Sequence, residues 1–293
     1  MSAQSSPLKS HLQVPLVAWP TVGLFVGCVA LWTAVIWAVS SGHIGYGWGV
    51  VWSTVALYGI FTPLHEASHK SASTMPWVNE VLGRMCGWFY LGDFVGFRTL
   101  HLVHHKHTND PKEDPDMWVA KGPTWAHPLR WMTLDLSYHH AYLVRWPQQP
   151  LRYRVEEVVT ALGLLALLAG LVWAGWGWQV LWLWIVPLKI TFTGLAYSFD
   201  YLPHTPHQVT SDEDRYRATL VRPHPLLSVV LLYQNLHLIH HLYPAVPFYR
   251  YGRIWRAQRE MLLDKGVEVR SLTGQVQHPA RGASRVAPGE KIA

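Results

Sequence analysis

Most of the information in this sequence lies in three short stretches: His65-Glu66-Ala67-Ser68-His69, His101-Leu102-Val103-His104-His105 and His237-Leu238-Ile239-His240-His241. Together these boxes hold eight histidines, each within one helical turn of another. Neutral imidazole is the commonest protein ligand for transition metals. One tetrahedral zinc ion takes only three or four protein ligands, so this number of imidazoles predicts two metal ions. An all-imidazole set suits Fe, Zn, Cu or Ni and disfavours Mg or Ca.

The spacing of these histidines is helical. Each residue of an α-helix turns by about 100°, so residues four apart lie on one face. We therefore expect His65 and His69 to point the same way, as do the outer histidines of the other two boxes. The adjacent pairs His104-His105 and His240-His241 diverge by about one residue's rotation. One member of each pair is then expected to reach each of two neighbouring metal ions.

The rest of the chain has the composition of a membrane protein. Of its 293 residues, 50% are hydrophobic and 14% are charged, whereas soluble domains carry about 25% charged residues. No Asp, Glu, Lys or Arg occurs between Lys9 and Glu66, or from Val158 to Leu188. Four apolar runs are candidates for helices that cross a hydrocarbon core of about 30 Å. They form two hairpins and comprise residues 16–40, 44–64, 158–173 and 179–201.

The distribution of charge predicts the orientation in the membrane. The net charge of +6 suits a membrane surface or a nucleic acid, and the apolar runs favour the membrane surface. The turns within the two hairpins carry no charge, so the positive-inside rule places both termini and all three boxes in the cytoplasm. We expect an all-α polytopic protein with four transmembrane helices in two hairpins, interfacial helices such as residues 77–97, and a cytoplasmic metal-binding cap. The expected location is the bacterial inner membrane.

Several other polar residues are candidates for the metal site. His204 follows the fourth apolar run at the expected depth of the boxes and is a ninth candidate ligand. Metal-bound histidine normally donates its other ring N–H to a carboxylate or a carbonyl. The candidates for that supporting role are Asp200, Asp110, Asp114, Asp116 and Asn235. Direct ligation by Asp200 is an alternative, and the alternative for residues 110–116 is a solvated loop with Asp-Pro turns.

The remaining features concern the domain boundary and a buried charge. Residues 1–270 are expected to form a single domain, and residues 271–293, rich in Gly, Pro, Ser and charge, a disordered tail. Lys189 lies within the fourth apolar run, where a charge is costly. It could extend to the interface, pair with Asp200 or line a substrate pocket. Cys28 and Cys86 are too few for a disulfide framework.

The three boxes resemble those of the integral-membrane fatty acid desaturase and hydroxylase superfamily. The resemblance covers roughly residues 15–260, and the order of the boxes is specific to that superfamily. The strings that carry it include the first box, His104-His105-Lys106-His107-Thr108-Asn109-Asp110-Pro111, Phe199-Asp200-Tyr201-Leu202-Pro203-His204 and the stretch from Gln234 to Pro244. Within the superfamily these strings are similar to the desaturase-type bacterial β-carotene hydroxylases, although Glu66 stands where that branch usually has Asp, and Ser73 where it often has His.

The resemblance implies a chemistry and a set of cofactors. It implies a non-haem di-iron centre, with two iron ions held by the boxes and His204, zinc as a possible substitute, and O₂ as co-substrate. The expected activity is hydroxylation of a lipid, with the β-ionone ring of a carotenoid favoured over desaturation of a fatty acyl chain. No haem or flavin domain is visible, so the electrons are expected from a separate donor such as ferredoxin or rubredoxin. The arginines between Arg250 and Arg259 could bind such a donor or anionic lipid headgroups.

Other classes of protein fit the sequence less well. A membrane metal transporter would carry its ligands inside the spans, whereas these lie at the ends of the apolar runs and beyond them. A non-catalytic haem or metal anchor would need only two to four histidines. A zinc protease of the HExxH type, with Glu66 as general base, would need one further ligand rather than six or more.

Overall fold

The computed structural model describes residues 5–278, and their secondary structure is almost entirely helical. Three short π-helical segments, Val172–Trp176, Leu181–Ile185 and Ala196–Tyr201, join or extend the α-helices between residues 151 and 201. The α-helices are α1 Ser5–Leu12, α2 Trp19–Ser40, α3 Tyr46–Ser68, α4 Pro76–Phe89, α5 Phe94–Lys106, α6 His127–Met132, α7 Leu134–Arg145, α8 Leu151–Leu171, α9 Gly177–Val180, α10 Val186–Leu195, α11 Ser211–Asp214, α12 Pro225–Val230, α13 His237–Leu242 and α14 Tyr251–Asp264, and the strands are β1 Val269–Arg270 and β2 Val276–His278.

Two helical runs of the described chain are long and apolar enough to cross a membrane. They are Trp19–Ser40 and Leu151–Tyr201, and each has a mean hydropathy of 2.2. The second run contains 51 residues and breaks at Gly175, whose φ of +88° lies in the left-handed region that ends helices. It therefore consists of two arms. With α2, the two arms account for three of the four predicted spans. The fourth would have to be α3, the predicted hairpin partner of α2.

The inner core packs α2, α3 and α4 against the second arm of the long run. Leu57 and Ile60 of α3 are fully buried in this core, which also contains the buried Leu188 of α10. Small residues let these helices approach closely, because a Cβ atom on Gly49 would lie 2.6 Å from a methyl carbon of Leu183. This core places the C-terminal end of α3, with the first histidine box, against the other boxes.

The stretch 77–97 forms two helices rather than one interfacial helix. α4 ends at Phe89, and α5 begins after Asp93, whose side chain accepts the backbone N–H of Gly96 as an N-cap. The connection packs into the core, since the Tyr90 hydroxyl donates to the carbonyl of Leu57 at 2.5 Å. Asp93, an N-cap residue type inside an otherwise apolar stretch, was the local sequence signal for the break between α4 and α5.

A second core lies under the histidine boxes. It includes fully buried Leu238, Ile239, Ile254 and Leu262 from α13 and α14. The short antiparallel sheet of β1 and β2 closes this part of the fold. Residues 271–278 therefore form a turn and a strand, in contrast to the expected disorder, because backbone hydrogen bonds to β1 require no apolar pattern; residues 279–293 lie outside the described residues.

Candidate metal centre

Four helical segments carry the nine candidate histidines into one place. His65 lies in the last turn of α3, and His69 caps its C-terminus. The second box occupies the last turns of α5, and α13 consists of the third box and one further residue. His204 follows the π-helical segment that ends at Tyr201. All nine rings are buried or half-buried.

The histidines form two groups. Within each group, one ring nitrogen from every member lies within 4.8 Å of the others. Group A consists of His65, His69, His101, His105 and His240. Group B consists of His104, His204, His237 and His241. The adjacent pairs are divided between the groups, as the helical rotation predicts.

The distances between ring nitrogens fit metal coordination. Nε2 of His69 lies 2.8 Å from Nε2 of His101, and Nε2 of His105 lies 2.8 Å from Nε2 of His240. In group B, Nε2 of His241 lies 3.1 Å from Nε2 of His237. Two nitrogens bound at about 2.1 Å to one ion are about 3 Å apart when the bond angle is near 90°. Several Nε2 atoms thus converge on one point in each group.

His65 provides a direct test of the fit to a metal. Its side chain is fully buried, and neither ring nitrogen has a hydrogen-bond partner among the described residues. An unpaired polar atom in a protein interior costs about 1–3 kcal/mol, so native structures rarely keep one without a reason. A metal ion in group A would take the lone pair of one of these nitrogens. The residues present therefore fit a transition metal.

The outward ring nitrogen of His104 is held by two carboxylates. Nδ1 of His104 lies 2.9 Å from Oδ1 of Asp114 and 3.2 Å from Oδ2 of Asp116. The Tyr138 hydroxyl donates a short hydrogen bond to Asp116. Burial alone would lower the pKa of His104, but the two carboxylates outweigh it and raise the pKa to about 10. The same negative charge stabilises a metal cation at Nε2.

Three other histidines are held by groups of different chemistry. Nδ1 of His204 donates to the backbone carbonyl of Asp200 at 2.6 Å. Nδ1 of His237 lies 3.1 Å from Oε1 of Gln234, and Nδ1 of His240 lies 3.0 Å from the hydroxyl of Tyr251. Each contact leaves Nε2 free to face its group. Sequence reasoning missed Gln234, Tyr251 and Tyr138; only Gln234, three residues before His237, had a local signal.

Two of the predicted supporting residues have other partners. Asp110 accepts the backbone N–H groups of Lys112 and Glu113 in a turn, as expected for a solvated Asp-Pro loop. The amide nitrogen of Asn235 donates to the carbonyl of Arg222 and to Ser228. Neither belongs to a histidine group. The carboxylate of Asp200 is buried beside group B and makes no hydrogen bond to a histidine; its backbone carbonyl does so instead.

Most of the imidazoles are held neutral. Burial, followed by the repulsion that other histidines would exert if protonated, keeps the pKa of His105, His237 and His241 well below the usual value. Only the neutral ring can offer a lone pair to a metal ion. The site is therefore competent to bind metals at neutral pH without displacing protons from these three rings.

Glu66 does not have the environment of a protease base. One of its carboxylate oxygens accepts the Thr21 hydroxyl at 2.5 Å, and the other accepts the backbone N–H of Phe248. Thr21 lies on α2 and Phe248 precedes α14. This buried carboxylate therefore joins α2 and the second core to the helix that carries the first box.

A cavity of about 200 Å³ adjoins the metal centre. His101 and Asp200 line one part of it, and the walls are mainly apolar, with Phe61, Phe192 and Leu195 among them. α7 forms one side, and its Asp135 binds Lys189 with Nζ–Oδ distances of 2.7 and 2.8 Å. Lys189 thus pairs with Asp135 and not with Asp200, which explains a cation in an apolar run.

Comparison with known proteins gives a consistent result. The family model described as fatty acid desaturase matches residues 46–273. A Beta-carotene ketolase of Paracoccus sp. (strain N81106 / MBIC 01143) is 24% identical over 260 residues, which cover 85% of this chain and 96% of the relative. An sn-1 oleoyl-lipid 12-desaturase of Synechocystis sp. is 24% identical over 264 residues, which cover 79% and 73%. A Dihydrorhizobitoxine desaturase of Bradyrhizobium elkanii is 28% identical over 233 residues, which cover 71% and 65%.

Proposed function

The chain belongs to the fatty acid desaturase family, and from this premise we propose that it is a membrane-bound di-iron oxygenase that oxidises a C–H bond of a lipid. The observation that carries this proposal is the pair of histidine groups beside an apolar cavity. Members of the family are oxidoreductases, and histidine clusters are what their chemistry requires. In the proposed topology, four helices span the bacterial inner membrane and the metal centre faces the cytoplasm.

Each residue of the centre has a defined task. The five histidines of group A would hold one iron ion and the four of group B the other. Bound iron supplies the oxidising chemistry, with O₂ and two electrons, for a bond that no side chain can attack. Asp114 and Asp116 hold the ring of His104 in one orientation, as Gln234 does for His237.

The cavity would position the lipid and exclude water from the reacting carbon. Because His101 lines the cavity, a lipid bound there would have its target carbon next to group A, and the carboxylate of Asp200 lines the same cavity. Aromatic walls formed by Phe61, Phe97 and Phe199 suit a rigid apolar substrate. Hydroxylation converts the C–H bond to C–OH and reduces the second oxygen atom of O₂ to water with two electrons and two protons.

We favour the β-ionone ring of a carotenoid as the substrate. The match to the β-carotene ketolase of Paracoccus covers nearly the whole length of the ketolase, which supports a catalytic domain of the same size. The desaturase relative from Synechocystis matches over a smaller share of its own sequence. The motif strings around the boxes point in the same direction.

Desaturation of a fatty acyl chain is the second candidate. Relatives named as oleoyl-lipid and omega-6 fatty acid desaturases support it at similar identity. Removal of hydrogen from two adjacent carbons yields an alkene and two molecules of water from the same O₂ and the same two electrons. The metal centre serves both outcomes, so the shape of the cavity has to select between them.

Expression in a bacterial host that accumulates β-carotene tests the proposal. We expect hydroxylated carotenoids with unchanged membrane fatty acids, measured by pigment chromatography and by acyl-chain analysis of the same cells. New double bonds in the fatty acids with unchanged β-carotene would establish the second candidate. Metal analysis of the purified protein should give close to two ions per chain, and one ion or none would contradict the di-iron centre.

A further inference from the structure

We propose that the outward face of α14, formed by Arg253, Arg256 and Arg259, is the docking surface for an acidic one-electron carrier protein of the iron–sulfur type. The inference rests on the proposed function, because the proposed oxidation consumes two electrons that must reach the metal centre. It adds the place at which those electrons enter.

α14 has two opposite faces. Arg253, Arg256 and Arg259 are exposed to solvent, whereas Ile254 and Trp255 of the same helix are buried. At about 100° per residue, the three arginines occupy one arc of the helix surface and the buried residues the arc across from it. The helix therefore presents a row of guanidinium groups on its outside while its inside forms part of the second core.

The inner face of α14 is in contact with the metal centre. Tyr251, in the first turn, is fully buried, and its hydroxyl lies 3.0 Å from Nδ1 of His240, a member of group A. Arg253, at the level of Tyr251, is thus separated from a group A histidine by about the thickness of one helix, roughly 10 Å, and Arg256 and Arg259 lie further along the axis by about 1.5 Å per residue. Electron transfer becomes steeply slower with distance, so a carrier bound here would be well placed to reduce the centre.

The charges on this face are available to a partner. None of the three arginines takes part in an ion pair among the described residues, and the two exposed acids of the helix, Glu260 and Asp264, follow its last arginine. The neighbouring α1 adds the exposed Lys9. By contrast, the exposed Lys106 lies next to α11, whose Ser211 donates to its carbonyl and is followed by the exposed acids Asp212 and Glu213.

Arg250 is excluded from the surface by its own contacts. Its guanidinium donates to backbone carbonyls of the N-terminal segment, including that of Gln13 at 2.5 Å. It therefore fastens α1 and the following residues to the start of α14. The docking surface consists of the three arginines that lack such partners.

Complementary charge predicts the class of the partner. A row of unpaired arginines attracts a negatively charged surface, raises the association rate and makes the affinity depend on salt. Anionic lipid headgroups would meet the same charges, but lipid binding gains nothing from proximity to His240. The short path to group A therefore favours the protein carrier.

Charge reversal with a matched control tests the surface. The full chain in nanodiscs is titrated with a plant-type [2Fe–2S] ferredoxin at low and at physiological salt. We expect the Arg253→Glu/Arg256→Glu variant to lose about tenfold or more in affinity and most of the salt dependence. The control is Lys121→Glu/Arg152→Glu, which reverses two exposed charges elsewhere and should leave the affinity near that of the wild type. Turnover with a chemical reductant should be equal in all three proteins.

Three results would overturn the proposal. One is an unchanged ferredoxin affinity in the α14 variant. Another is an equal loss in both variants, since net charge alone would then explain the binding. The third is a loss that disappears when the nanodisc lipids are purely zwitterionic, which would assign the arginines to headgroups. A wild-type protein that binds ferredoxin but gives no product with any reductant would instead contradict the proposed function.

Discussion

α3 and α8 are apolar helices of similar length in opposite surroundings. Thirteen of the 23 residues of α3 are buried, among them His65 and Glu66, whereas none of the 21 residues of α8 is buried. α8 carries four charged residues, Arg152, Arg154, Glu156 and Glu157, whereas α3 carries one, Glu66, so the buried helix is not the more charged of the two. The difference shows that position in the fold decides burial: α3 packs against α2, α4 and α10, whereas α8 contributes only partly buried residues such as Leu168 and Leu171 to the inner core.

The largest expected effect comes from removing a ligand on the buried helix. His65→Ala should abolish turnover and release metal from group A. The variant removes one of the five imidazoles of this group, the one whose ring nitrogens have no hydrogen-bond partner among the described residues. Metal content and product formation are measured on the purified protein. His43→Ala, in the exposed turn between α2 and α3, is the control and should be near neutral. Wild-type activity of the His65 variant would remove His65 from the site.

Matched leucine substitutions measure the packing difference directly. Leu57 of α3 is fully buried, whereas Leu165 of α8 is 63% exposed. Leu57→Ala should lower the free energy of unfolding by about 2–5 kcal/mol, and Leu165→Ala should change it by about 0.5 kcal/mol or less. Reversible unfolding in mixed micelles gives both values. Similar losses in the two variants would mean that α8 is packed against protein.

A second comparison concerns two aspartates in the loop after α5, one that contacts a histidine of the metal centre and one that does not. Asp114→Asn weakens the hold on Nδ1 of His104 and should reduce metal affinity or activity by about 10–100-fold. Asp110→Asn, in the same loop, should leave both nearly unchanged, because Asp110 only closes a turn. The two variants are compared by competition with a chelator. Equal effects would assign the whole acidic loop to the metal centre.

The smallest expected effect comes from adding one methyl group to a glycine. A Cβ atom on Gly59 of α3 would overlap Sγ of Cys28, whereas a Cβ atom on Gly163 of α8 would have no heavy atom within 4 Å. Gly59→Ala should therefore cost about 1–3 kcal/mol of stability. Gly163→Ala should stabilise by up to about 1 kcal/mol, since alanine is the better helix former. A stabilised Gly59 variant would contradict the close packing of α2 and α3.

Much of the candidate site was predictable because it is local. The i,i+4 spacing within each box brings those imidazoles to one helix face, and the rotation between His104 and His105 divides them between groups A and B. Asp114 and Asp116 were predictable because they follow the second box closely. Gln234 had a local signal, since it precedes His237 by three residues. Tyr251 had none, because it reaches His240 only through the packing of α14 on α13.

The sequence by itself determined the membrane character, the helical class and the nine histidines, because composition and periodicity are properties of short stretches. The tertiary structure alone decided which histidines share a group, that Lys189 pairs with Asp135 across two helices, and that the stretch 77–97 folds back as two helices. These outcomes depend on contacts between residues far apart in the chain. Such contacts depend on how whole helices pack against one another. A buried polar side chain is stable only where packing brings a partner to it, and the local sequence pattern does not identify that partner.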